Sequence, residues 1–254
     1  LAAGGADIVC LDAARDTDLA PLGELIWTRR ERSPLVLGSQ GVERALVDHW
    51  RASGALQAAP ARPTLAGTPT IALSGSVSET TARQIARAAE DGWHTQRLDI
   101  AALVRAPTLE RETLGAAVEL ARRALDAGAA PLFYTASGPD DPAVAELDVL
   151  SVASGRPREA LQRRLGDALG ELLQTLLMET GVRRAVVAGG DSSGRSLEAL
   201  EAIALQALAP VSAGLSLYRL VADGELDGLE IALKGGQMGE EGCFEAVRRG
   251  CGAS

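Results

Sequence analysis

The stretch that most limits how this chain can fold is Ala185-Val186-Val187-Ala188-Gly189-Gly190-Asp191-Ser192-Ser193-Gly194. A short apolar run ending in glycine predicts a buried strand, and Leu197, Leu200 and Ala204, at spacings of three and four, predict a helix after it. Strand, glycine turn and helix start together can hold an anion. Glycine lets the backbone come close, and the free N–H groups of a helix N-terminus favour negative charge. The alternative is a tight strand-to-helix turn whose glycines serve packing alone. Gly189-x-x-x-x-Gly194-Arg195-Ser196 comes near the P-loop pattern, but Arg stands where the pattern needs Lys. The two cations are not interchangeable at a phosphate clamp, so this is not a P-loop.

The rest of the chain alternates in the same way. Strands are expected at Ala6–Leu11 and Pro34–Leu37, with helices at Asp18–Arg30 and over Val42, Ala45, Leu46 and His49. Gly54 to Pro69 is rich in Ala, Pro and Gly and predicts a linker, dividing residues 1–57 from 68–254. A strand at Thr70–Leu73 runs into Ser74-Gly75-Ser76-Val77-Ser78. The next helix has Ser76 and Glu79 as a capping box and Gly92 at its end. Strands at Thr95–Ile100 and Ala130–Thr135 flank a helix at Leu109–Ala127, and Pro139–Pro157 is expected to be irregular. Leu161, Leu165, Leu169, Leu172 and Leu176 mark a long helix closed by Gly181. Val211–Leu220 and Leu229–Leu233 complete the strands, and a short helix over Phe244–Arg248 follows. The expected fold class is α/β, three-layer, with a mostly parallel sheet and helices on both faces. Strands ending in small-residue turns at Gly38, Ser74, Gly189 and Lys234 would bring those turns to one sheet edge, where such folds bind ligands.

Composition narrows the function. Of 254 residues, 46% are hydrophobic and 3% aromatic, so Ala, Leu and Val build the core. A net charge of −9 without a basic block argues against a nucleic-acid partner. No apolar run is long enough to span a bilayer, which argues against a membrane partner. The first residues lack the basic region of a signal peptide. Leu1 is not a start methionine, so the chain is expected to be part of a longer protein. Cys10, Cys243 and Cys251 have no metal-ligand spacing. Cys10 is expected as inert core and the other two as loose thiols, and the odd count favours a reducing cytoplasm. His49 and His94 have no partner at ligand spacing and are expected to be structural or on the surface.

Four motifs in order resemble the four-carbon acid sugar kinases, which act on tetronates. They are Gly38-Ser39-Gln40-Gly41, then Ser74-Gly75-Ser76-Val77-Ser78 with Thr81-Ala82-Arg83-Gln84, then Gly189–Gly194, and Lys234-Gly235-Gly236-Gln237-Met238-Gly239. The resemblance implies the C-terminal, nucleotide-binding half of an ATP- and Mg²⁺-dependent kinase, with a nucleotide and a small acidic sugar as partners; a homo-oligomer stays open. It places Ser74 and Ser76 against the nucleotide and Gly189, Gly190, Asp191, Ser192 and Gly194 around the phosphates. Asp191 would take Mg²⁺ or its waters. Gly235, Gly236 and Gly239 would close over the nucleotide, with Lys234 beside them.

Two residues depart from the family pattern: Ser192 for the usual Thr, and Met238 where an aromatic is common. The Asp-Asp-x-Thr-Gly motif of the family's sugar-binding half has no match here, and no residue can be named as catalytic base. Other readings of the same residues stand beside this one. Asp191, Ser74 and Ser76 can serve as helix caps, and Lys234 as a solvated strand end. At the level of the whole chain, the alternatives are a non-catalytic nucleotide-binding regulator and an enzyme using NAD or CoA. The lack of a Gly-x-Gly-x-x-Gly fingerprint counts against the last.

Overall fold

The computed structural model describes residues 8–57, 65–212 and 214–250. The chain divides into two compact units, residues 1–61 and 62–254.

The first unit holds a helical pair, α1 (Leu19–Arg29) and α2 (Gln40–Ala52). They cross closely at Gly23, where a Cβ would run into the Ala45 carbonyl. Trp27 and Trp50 meet edge to face at 5.1 Å, and Arg44 bonds Asp16 at 3.0 Å. Both helices were expected, but the strands before them are not formed. Residues 8–11 and 34–37 are coil, and Ile8, Leu35 and Leu37 are exposed. A strand needs a neighbour for its ladder, and among the described residues neither segment has one. Residues 6 and 7 and most of the expected linker, 58–64, lie outside the described residues.

The second unit is a seven-stranded sheet. Its strands are β1 (Ile71–Ser74), β2 (His94–Arg97), β3 (Pro131–Tyr134), β4 (Arg184–Ala188), β5 (Ala202–Ser212), β6 (Leu215–Ala222) and β7 (Glu230–Lys234). Their order is β2-β3-β1-β4-β7-β6-β5. The first five are parallel, and β6 and β5 are antiparallel additions. Every residue of β1 and β4 is buried, as expected for strands covered on both faces.

Alternation along the strands sorts side chains into two cores. On one face Leu73, Phe133, Val187 and Ile231 pack under α4 (Ile100–Arg105), α5 (Arg111–Asp126), α6 (Pro142–Ser154) and α7 (Arg158–Thr180). On the other, Ala72, Leu132, Val186 and Ala232 pack under α3 (Glu79–Glu90) and α9 (Cys243–Arg249). The three-layer α/β reading therefore holds. In α7 the leucine series is buried as its spacing requires, and Gly181 closes the helix at φ 69°.

Several local expectations need correction. Pro139–Pro157 is not irregular but carries α6, capped by Asp141, whose side chain accepts from Ala143 N–H. The helix after the glycine turn, α8 (Gly190–Ala199), stops before Ala204, which lies in β5. Glu201, at φ 53°, marks the reversal between them. The expected Val211–Leu220 strand is two strands joined at Gly214, which sits at φ 73°. The cap of α3 is Ser78, not Ser76: its hydroxyl accepts from Thr81 N–H at 3.1 Å. Cys10 is exposed rather than core, and Cys243 is buried in α9 rather than loose. Cys251 lies outside the described residues.

Candidate functional site

β1 is the point where the parallel order turns: the chain passes from it to β2 and β3 on one side, and to β4 and β7 on the other. Ligands of open α/β sheets bind at the carboxyl ends of strands at such a point. Here the ladder continues one residue past each strand. Thr135 N–H donates to Ser74 O at 3.0 Å, Gly75 N–H to Ala188 O at 3.0 Å, and Gly189 N–H to Lys234 O at 2.9 Å. These bonds hold the turns after β1, β4 and β7 side by side. The Gly38 turn belongs to the other unit and follows no strand.

The fit is close enough to demand glycine. Gly189 sits at φ 116°, and a Cβ there would lie 3.2 Å from Ser192 Oγ and 3.3 Å from Ser76 N. A Cβ on Gly75 would overlap Ser192 Oγ and come within 2.8 Å of Leu169 Cδ1. On Gly236 it would lie 2.5 Å from Ser76 Oγ. Thus Ser74, Ser76, Gly189, Ser192, Gly235 and Gly236 are brought together as neighbours. Ser74, Ser76 and Ser192 are buried. Gly190 and Asp191 are exposed on the first turn of α8, whose first N–H groups lack intrahelical acceptors. Ser193 closes that turn, its N–H and its hydroxyl both donating to Gly189 O. Gly194 is apart: it is exposed on α8, with open space where a side chain would be.

The turn after β7 is clamped by α3. Ser78 and Thr81 hydroxyls both donate to Gly236 O, the latter at 2.7 Å. The Gln84 amide donates to the carbonyls of Met238, Gly239 and Glu240 at 2.9–3.1 Å. These three residues are spaced by three along one helix face, a periodicity visible in the sequence, but no role follows from it until β7 is placed beside α3. Gly239 lies at φ 85°, and Met238 packs against Gly214.

Lys234 is not a solvated strand end. It is 2% exposed, and its ammonium donates to Thr81 Oγ1 at 3.1 Å and Gly235 O at 3.2 Å. Burial lowers its pKa, opposed by the neighbouring Cys243. The same burial pushes the Cys243 thiol up to about 11.

Two clefts open at this sheet edge. One, of about 550 Å³, lies between the start of α3 and residues 137–142 and is lined by Arg83, Arg97, Asp140 and Asp141. Arg97 pairs with the buried Asp141, which also accepts from Ser137. The other, of about 210 Å³, runs between α6 and α7 to Gly75, Asp191 and Ser192. Neither Lys234 nor the 235–239 turn lines either cleft. Among the described residues no group of three His, Cys, Asp or Glu could hold a metal.

Fold and site together define a three-layer α/β domain with a glycine- and hydroxyl-lined cradle at its switch point. The chain belongs to the family described as the nucleotide-binding C-terminal domain, whose model matches residues 71–244, and with it to the four-carbon acid sugar kinases that its motifs resemble. It is 39% identical over 247 residues to 3-oxo-isoapionate kinase of Paraburkholderia graminis, covering 96% of this chain and 52% of that protein. With 3-oxo-tetronate kinase of Pseudomonas savastanoi pv. phaseolicola it shares 34% over 259 residues, covering 100% and 54%. A crystal structure of a Haemophilus influenzae protein has the same fold (TM-score 0.66, 21% identity, 93% of this chain and 52% of that one). The chain spans about half the length of the curated relatives it matches.

Proposed function

We propose that residues 68–254 are the ATP-binding half of a kinase that phosphorylates a hydroxyl of a 3-oxo sugar acid such as a tetronate. In this reading residues 1–57 are the end of a sugar-binding half or the segment that connects it to the nucleotide-binding half. The observation that carries the proposal is the set of three glycine turns laced side by side beneath the open N-terminus of α8. The relatives named as kinases of 3-oxo-isoapionate and 3-oxo-tetronate support the substrate class.

The first-turn N–H groups of α8 at Gly190, Asp191 and Ser192 are suited to receive phosphate oxygens, and Gly189 and Gly75 keep side chains out of their way. Ser74 and Ser76 shape the floor, and Lys234, with Thr81, sets the height of Gly235 and Gly236 above it. The exposed carboxylate of Asp191 fits Mg²⁺ bound through one protein carboxylate, waters and phosphates, the arrangement this ion prefers. When bound, the ion offsets charge on the transferred group. The base that deprotonates the acceptor is assigned to the sugar-binding half, and the setting to a reducing cytoplasm.

The test is thermal unfolding of the chain with Mg·ATP, ADP, NAD and CoA. A ligand at 100 times its Kd adds about 2.7 kcal/mol, a rise of roughly 5–11 °C for a domain of this size. ATP or ADP alone should produce it, and Asp191→Asn should weaken the Mg·ATP response. A shift with NAD or CoA alone would overturn the kinase reading.

A further inference from the structure

We propose that the cleft between α6 and α7 seats the adenine base, with Gln162 reading its edge. The inference rests on the ATP reading above and says which part of the ligand goes where. The two clefts differ in chemistry. The larger is walled chiefly by charged side chains, Glu79, Arg83, Arg97, Asp140 and Asp141, and the apolar side chains among them, Ala82, Pro139 and Pro142, are small and none is buried. The smaller has an apolar floor of Ile100, Ala136, Ala143, Leu147, Leu165 and Leu169, all buried. Binding sites are mostly apolar, with a few polar groups that fix orientation. Its size agrees: about 210 Å³ lies below the roughly 300–1,000 Å³ of sites that enclose whole ligands, yet leaves room for one planar ring system. Its inner end reaches Gly75, Asp191 and Ser192, so a base seated there sends its phosphates toward the start of α8.

The rim sets specificity. Gln162 and Arg158 lie one turn apart on α7 and both line this cleft. A Gln amide matches the paired donor and acceptor on adenine, whereas Arg matches the two acceptors of guanine. Arg158 is held by Asp148 of α6, while Gln162 is exposed and makes no hydrogen bond among the described residues. The cleft therefore leaves an adenine partner free and occupies the guanine partner.

The test is calorimetric titration of the whole chain with Mg·ATP, Mg·GTP and magnesium tripolyphosphate, for wild type, V144F, Q162A and R83A. Val144 is a half-buried wall residue, and a larger ring there should weaken ATP about tenfold while leaving tripolyphosphate unchanged. Q162A, on an exposed site that spares the fold, should cut the preference for ATP over GTP about tenfold. R83A should bind ATP as wild type does. If wild type binds ATP but V144F and Q162A bind it unchanged, or if ATP binds no tighter than tripolyphosphate, the base site is wrong and the nucleotide reading stands. If wild type does not bind ATP, both fall.

Discussion

Gly75→Ala probes the closest contact in the cradle. The added methyl would overlap Ser192 Oγ and approach Leu169 Cδ1 to 2.8 Å, and both neighbours are buried. Neither can swing into solvent, so the β1 turn or the start of α8 must move. Forcing a methyl into a packed interior costs about 1–3 kcal/mol. For a domain of this size that lowers Tm by roughly 2–12 °C. Thermal unfolding followed by circular dichroism reads the shift. A second variant tests the cause. Ser192→Gly removes the overlapped hydroxyl at a helix-glycine cost of roughly 0.5–1 kcal/mol. In the double variant the two costs should fall short of additivity by about 1 kcal/mol, since neighbours in contact couple. The contact with Leu169 remains, so recovery is partial. A Gly75→Ala chain melting within about 1 °C of wild type, or two strictly additive costs, would refute this account of how the turns meet.

Two further predictions concern the α9 end of the domain. Glu245 accepts from Arg248, Trp93 and Arg249, and its pKa is drawn down from 4.5 to about 2, chiefly by Arg248. Its stabilisation is complete above pH 4.5 and is lost as pH falls toward 2. E245Q should therefore be less stable by on the order of 2 kcal/mol near neutrality, with the gap closing in acid. Urea titrations across that range check it, and a gap independent of pH would contradict it. Cys243 is 1% exposed with its thiol raised to about 11, whereas Cys10 is exposed. An alkylating agent at neutral pH should label Cys10 quickly and Cys243 only as the domain unfolds, because the thiolate is the reactive form. Peptide mass spectrometry follows both, and equal rates would contradict the buried placement.

Local pattern was sufficient wherever one rule governs a segment. The leucine series of α7, the glycine stop at Gly181, the buried run of β4 and the turn at Gly189 depend on periodicity and backbone sterics acting over a few residues. Of the four small-residue turns expected at one sheet edge, those after β1, β4 and β7 lie side by side, whereas the Gly38 turn follows no strand. Segments whose state depends on neighbours were not legible. Pro34–Leu37 has the apolar content of a strand but no ladder partner among the described residues, and Ala204 fits a helical spacing yet pairs with Val221 in β5. Lys234 shows the same limit at the site. Its sequence leaves open a cation beside the glycine turn or a solvated strand end, and only β7 lying beside α3 sets its ammonium against Thr81. Sequence determined which backbone stretches can turn, extend or coil, because those preferences are local. Tertiary structure decided which polar groups are buried and against what, because burial and hydrogen bonding depend on partners more than 150 positions away, as Thr81 and Gly236 are.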